Sequence, residues 1–323
     1  MRRKLNGNRS VTSFVNGKVC AVVGAGGFLG TNLCLRLNEL GAKVRAIGRR
    51  AAFPKALEQV EWRQGDISDQ SVLANTLFDV DVVFHLANSN TPHASNFNKT
   101  IDVKTSLLPT LNLLEQCKEF NIGRIIFASS GGTVYGLPLT LPMAEDHPEN
   151  PITSYGINKL ASEKYFSLYE RLHQVDYRIA RLANPFGPFQ TAEKNQGVIA
   201  AFAKKMLLDE TIEIWGDGNV VRDFLYVSDA IEAMILLAGH TGGDRIFNIG
   251  SGLGHSLKDV LQALETNIGK TPQVQYRPGR VDDAPAVVLD ISRAQTILRW
   301  RPEVDFQEGV GHTVEWLTKD LEI

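Results

Sequence analysis

Short apolar runs recur through the first half of the chain, and the stretches between them are long enough for helices. Residues 19–23 are continuously apolar and end at Gly24, and a helical pattern then runs over 28–40 and stops at Gly41. The apolar runs at 44–47, 60–62, 80–84 and 125–128 repeat the first one. Runs without polar alternation suit strands covered on both faces. Their alternation with helices predicts an α/β fold of the Rossmann type, a doubly wound parallel sheet with right-handed crossovers. We therefore assign 17–180 to a dinucleotide-binding domain.

Beyond residue 180 the order loosens. Turn-forming glycines and prolines punctuate 184–188, 216–218 and 277–279, and helical patterns at 197–208, 228–238, 256–267 and 306–319 lie between shorter elements. This predicts a smaller substrate-binding lobe over 181–323, with helices as its bulk and some segments returning to the first domain. Residues 1–16 carry Arg2, Arg3, Lys4 and Arg9 with no apolar stretch behind them, and read as a flexible, solvated tail rather than a secretion signal.

Composition narrows the field. The 323 residues carry 34 Lys and Arg against 36 Asp and Glu, a net charge of −2. That balance offers no basic field for nucleic acid, and no apolar run approaches the ~20 residues of a membrane span. Cys20, Cys34 and Cys117 stand far apart among apolar residues, which predicts buried free thiols in a reducing cytoplasm and no metal cluster.

Candidate chemistry concentrates in two places. Gly24-x-x-Gly27-x-x-Gly30 joins the first strand to the first helix, where glycines permit a tight turn and bring a pyrophosphate onto the helix N-terminus. At the end of the second strand, where an acid would meet the ribose of NAD, Arg49 suits the 2′-phosphate of NADP, so either cofactor remains open. Asp66 and Ile67, after the third strand, are placed to meet the adenine. Tyr155 and Lys159 stand four residues apart on one face of a helix that continues to residue 173. The spacing predicts that the lysine draws the phenol down from about 10 toward neutrality, so that it exchanges protons.

These residues, with Gly65-Asp66-Ile67, His85-Leu86-Ala87, the Ser-Ser-Gly-Gly-Thr-Val-Tyr-Gly run at 129–136, the Arg-Leu-Ala-Asn-Pro-Phe-Gly run at 181–187, Trp215 and the Arg-Asp-Phe-Leu-Tyr-Val run at 222–227, resemble the extended short-chain dehydrogenase/reductases. The match is to their nucleotide-sugar epimerase and dehydratase branch and covers roughly 18–319. It implies that Tyr155 takes the proton of a sugar hydroxyl while hydride leaves the same carbon for the nicotinamide, with Lys159 holding the nicotinamide ribose. Cofactor contacts are implied at Gly24, Gly27, Phe28, Leu29, Gly30, Asp66, Ile67, Leu86 and Ala87, and substrate contacts at Asn184, Val198, Trp215, Arg222 and Arg277. Val287 is implied beside the C2 substituent of the sugar.

The chain departs from that pattern. The catalytic Ser or Thr position falls on Gly131, so a hydroxyl from Ser130 or Thr133 is expected to replace it, and the structural Asn position falls on Ser106. Gly132 and Thr133 stand where sugar dehydratases carry an Asp-Glu pair, which argues against elimination of water. The leading expectation is a 4-epimerase of UDP-glucose and UDP-galactose or their N-acetylhexosamine forms, a cytoplasmic homodimer serving polysaccharide precursor supply. An NADPH-dependent nucleotide-sugar reductase and a catalytically silent NAD(P)-binding regulator are the alternatives.

Overall fold

The structure, a computed structural model, describes residues 14–50, 55–88, 91–190, 197–279 and 284–323. Its strands in chain order are β1 Val19–Val23, β2 Lys43–Gly48, β3 Glu61–Gln64, β4 Val82–His85, β5 Arg124–Ser130, β6 Tyr177–Leu182, β7 Asn184–Phe186, β8 Ile212–Trp215, β9 Val221–Tyr226, β10 Ile246–Ile249, β11 Gly254–Ser256, β12 Val274–Arg277 and β13 Ala286–Val287. Seven of them form one parallel sheet in the order β3-β2-β1-β4-β5-β6-β10. The chain leaves β1 toward one edge and returns at β4 on the other side. That reversal opens a crevice at the carboxyl ends of β1 and β4, where such sheets take their ligands.

Alternate residues of β1 explain why its run is apolar throughout. Cys20 and Val22 enter one core with Leu33, Leu37, Ile231 and Ile235; Ala21 and Val23 enter another with Leu73, Leu113 and Phe166. The Phe28–Glu39 and Val227–Gly239 helices cover the first face. The Gln70–Leu77, Leu108–Glu119 and Ser154–His173 helices cover the second. All three cysteines are free and buried in these cores.

Three expectations need correction. Val15 is fully buried and Phe14 packs beside it, so the solvated tail expected over 1–16 does not reach them; residues 1–13 lie outside the described residues. The Val227–Gly239 helix, expected as bulk of the second lobe, lies on the parallel sheet against β5 and β6. β6 carries no strand signal in the sequence because Arg178 and Arg181 break its apolar run, yet both are buried. Arg178 bonds Asp176 at 2.6 Å and the carbonyl of His240 at 2.6 Å, and Arg124 bonds the carbonyls of Ala238 and His240 at 2.7 Å each. These guanidiniums satisfy the carbonyls at the end of the Val227–Gly239 helix and dock it on the sheet.

The second lobe has its own core of Phe186, Ile199, Phe202, Ile212, Leu261 and Val310. Strands β7, β9, β11 and β13 form its small sheet, and β8 pairs with β12 apart from it. Asp223 ties the lobe together, its buried carboxylate accepting from the Ser251 amide at 2.7 Å, the Ser251 hydroxyl at 2.6 Å and the Leu289 amide at 3.2 Å. Among the described residues no helix is long and apolar enough to cross a membrane.

Candidate active site

The turn after β1 is built for close approach. Gly24 has φ +90°, and a Cβ there would come within 2.8 Å of the Ala87 amide nitrogen; a Cβ on Gly30 would come within 2.2 Å of the Gly24 carbonyl. Neither position admits a side chain. The helix that follows is capped by Gly27 with no side-chain hydrogen bond, so the N–H groups of Phe28, Leu29 and Gly30 are offered to a ligand. A pyrophosphate fits this cradle: it supplies the oxygens those amides lack and the negative charge the helix end favours. Leu86 donates its amide to the Val23 carbonyl at 2.9 Å, which sets the end of β4, and Ala87 with it, beside the cradle.

Arg49 is exposed just beyond β2, and Asp66 caps a turn by accepting from the Ser68 amide at 2.9 Å, with Ile67 packed behind it. Trp62 on β3, which the sequence did not single out, lies across the glycine turn. Its Cη2 is 3.2 Å from where a Cβ of Gly26 would stand and 2.6 Å from that of Gly48.

Across the crevice, β5 ends at Ser130 and the Ser154–His173 helix presents Tyr155 and Lys159. Thr153 caps that helix by accepting from the Gly156 amide at 3.1 Å, and the Ser95 hydroxyl holds the Tyr155 amide at 3.0 Å. The Lys159 ammonium donates to the Ala128 carbonyl at 2.7 Å and stands 5.7 Å from the Tyr155 ring centroid. The Ser130 hydroxyl hydrogen-bonds the Tyr155 phenol. Thr133, the other candidate, has its hydroxyl buried with no hydrogen bond among the described residues.

The electrostatics correct one expectation. Burial, then the charge of Asp102, pushes Tyr155 up to about 12, only partly offset by the Ser130 hydrogen bond. The lysine does not draw it toward neutrality in this state. Burial instead pulls Lys159 down to about 8, against the opposing charges of Glu163 and Asp102. Burial and the Lys159 charge hold His85 neutral, down to about 3, with its Nε2 2.9 Å from the Thr110 hydroxyl.

Two acids near this centre had no sequence signal. Glu163, one turn beyond Lys159, accepts from Ser129 and receives Arg181 at 2.6 Å; Arg181 also reaches Glu149. Asp102 accepts from Ser154 at 2.8 Å and Asn158 at 2.7 Å, and the Ser106 hydroxyl approaches it at 3.4 Å. A lone Asp in a polar stretch gives no hint of such burial. Gly131 is also explained by packing: a Cβ there would lie 2.5 Å from Cδ1 of the buried Leu289.

The residues expected at the substrate fall in two groups. Asn184, Arg222 and Val287 share the small sheet: Val287 stands opposite Arg222, which donates to the Ala284 carbonyl at 2.8 Å, and Asn184 donates to the Asp223 carbonyl at 3.2 Å. Trp215 and Arg277 are register partners on β8 and β12, with Arg277 bonded to Glu213 at 2.6 Å. Val198 opens the Val198–Leu207 helix and is half-buried.

Known proteins share this arrangement. The family model of the NAD dependent epimerase/dehydratase family matches residues 20–250. A putative UDP-glucose 4-epimerase of Methanocaldococcus jannaschii is 35% identical over 303 residues, covering 92% of this chain and 97% of that protein. The structure of a UDP-glucose 4-epimerase from Thermotoga maritima with UDP-glucose superposes with a TM-score of 0.89 at 32% identity, covering 94% of this chain and 99% of that one. One from Thermus thermophilus in complex with NAD gives a TM-score of 0.87 at 31% identity, over 92% and 98%.

Proposed function

The chain belongs to the NAD dependent epimerase/dehydratase family, and from that premise we propose that it interconverts the C4 epimers of a UDP-hexose, either UDP-glucose and UDP-galactose or their N-acetylated forms. The observation that carries this reading is the Tyr155 phenol, hydrogen-bonded to Ser130 at the end of β5, facing a phosphate cradle and with no carboxylate at Gly132 or Thr133 to eliminate water.

NAD, when bound, accepts hydride from the sugar carbon and returns it to the opposite face. Gly24, Gly27, Phe28, Leu29 and Gly30 hold its pyrophosphate, and Asp66, Ile67, Leu86 and Ala87 flank its adenine and centre. Tyr155 removes the proton of the sugar 4-hydroxyl and gives it back, while Ser130 donates to the same oxygen. Lys159 turns from the Ala128 carbonyl to the nicotinamide ribose. Asn184, Arg222 and Arg277 grip the diphosphate, Trp215 and Val198 line the base, and Val287 leaves room at C2 for an acetamido group.

We also infer a cytoplasmic homodimer. Ile157, Tyr165, Leu168 and Leu172 are exposed along one stripe of the Ser154–His173 helix, the kind of apolar face a second copy covers.

The test is incubation of purified protein and NAD with UDP-glucose, UDP-galactose and their N-acetyl forms, followed by NMR. Interconversion with no net change in reduced cofactor is expected. Stoichiometric cofactor consumption identifies a reductase instead, and unchanged sugars with bound NAD identify a silent regulator.

A further inference from the structure

Two neighbouring stripes of the Ser154–His173 helix face inward. One carries Tyr155, Lys159 and Glu163; the other carries Ser154, Asn158 and Ser162. Asp102, fully buried at the end of the Lys99–Asp102 turn, meets the second stripe through Ser154 and Asn158. Ser106 approaches from the following turn. A neutral amide at 102 would keep these contacts, its oxygen accepting from Ser154 and Asn158 and its nitrogen donating to Ser106. Charge is therefore what the carboxylate adds, at a depth where charge acts strongly and is costly to bury.

We propose that Asp102 is a positioning residue of this site, its buried negative charge keeping the Tyr155 phenol protonated and the Lys159 ammonium charged. This deepens the epimerase reading and rests on it for the use made of the proton. Asp102 raises Tyr155 and supports Lys159 against burial. The other described charges facing the pair act differently. Glu163 supports Lys159 but is matched by Arg181, and His85 on β4 stays neutral. Lys99 and Lys104, on the turns around Asp102, are exposed to solvent.

Titration of tyrosinate absorbance in the NAD-loaded protein, each variant measured against its Tyr155→Phe counterpart, isolates Tyr155. Asp102→Asn is expected to lower its midpoint by about one pH unit or more. Asp102→Glu, which keeps the charge, is expected to leave it in place. The limb of the kcat/KM profile that reports Tyr155 should move down with the titration. An unmoved midpoint in Asp102→Asn, or an equal fall in Asp102→Glu, overturns the proposal. If Asp102→Asn does not fold, Asp102→Ser removes the same charge: a lowered midpoint supports the proposal and an unmoved one overturns it. The titration needs no turnover, so a protein that epimerises no sugar would overturn the functional reading while the midpoint still decides the role of Asp102.

Discussion

Replacing Gly131 by Ser restores the hydroxyl that related enzymes carry at this position, and the packing says the chain resists it. Gly131 has no positive φ, so the cost is one of space. The new Cβ would stand 2.5 Å from Leu289 Cδ1, 2.9 Å from Cδ2 and 3.2 Å from the Arg181 carbonyl. Carbon atoms settle at about 3.5–4.0 Å, so Leu289 must withdraw by roughly 1 Å. It is fully buried and has no free volume to enter. Overpacking of this kind costs about 1–3 kcal/mol. Leu289→Ala alone should cost about 2–5 kcal/mol through the cavity it leaves. If the clash is the cause, Gly131→Ser with Leu289→Ala falls short of the summed costs by about 1 kcal/mol or more. Denaturant midpoints of the four proteins measure this, and turnover should not rise in Gly131→Ser. Additivity within roughly 0.5 kcal/mol, or a Gly131→Ser protein as stable as wild type, would refute the argument.

The hydrogen bond from Ser130 to Tyr155 predicts that Ser130→Ala slows turnover roughly tenfold, while Thr133→Ala, whose hydroxyl is buried elsewhere, changes it little; equal losses would contradict the assignment. Val287→Tyr should depress kcat/KM for UDP-N-acetylglucosamine far more than for UDP-glucose, and an unchanged ratio removes Val287 from the C2 pocket. Burial pushes the Asp229 carboxyl up to about 6 from its ordinary 3.8, although it accepts from the Val304 amide at 3.0 Å. A raised folded value favours the fold below 3.8 and loses that advantage as pH climbs through 6, so the ionised form weakens the protein at pH 8. Asp229→Asn should therefore gain about 1–3 kcal/mol at alkaline pH in chemical denaturation, and the gain should vanish as pH falls toward 4.

Legibility in the sequence followed solvent exposure. The strand β1, its glycine turn and its helix were legible because a strand buried on both faces is apolar at every position and a turn pressed against Ala87 must be glycine. The Tyr155 and Lys159 pair was legible from helical spacing. β6 was not, because Arg178 and Arg181 are charges buried among partners the linear pattern does not reveal, Asp176 and the His240 carbonyl for one, Glu163 and Glu149 for the other. Asp102 stayed hidden for the same reason, its partners lying 52 and 56 residues away. The direction of the Tyr155 shift was missed because i, i+4 spacing reports a neighbouring cation but carries no information on burial or on a third group.

The central claim is that one hydrogen leaves C4 of the sugar and returns to the same carbon, with Tyr155 moving only the hydroxyl proton. NMR of UDP-glucose incubated with the NAD-loaded protein in deuterated water measures it directly. The account predicts UDP-galactose that keeps protium at C4, with no net reduced cofactor and no conversion by Tyr155→Phe, which still binds NAD. Deuterium at C4 of the product, or wild-type conversion by Tyr155→Phe, would contradict it.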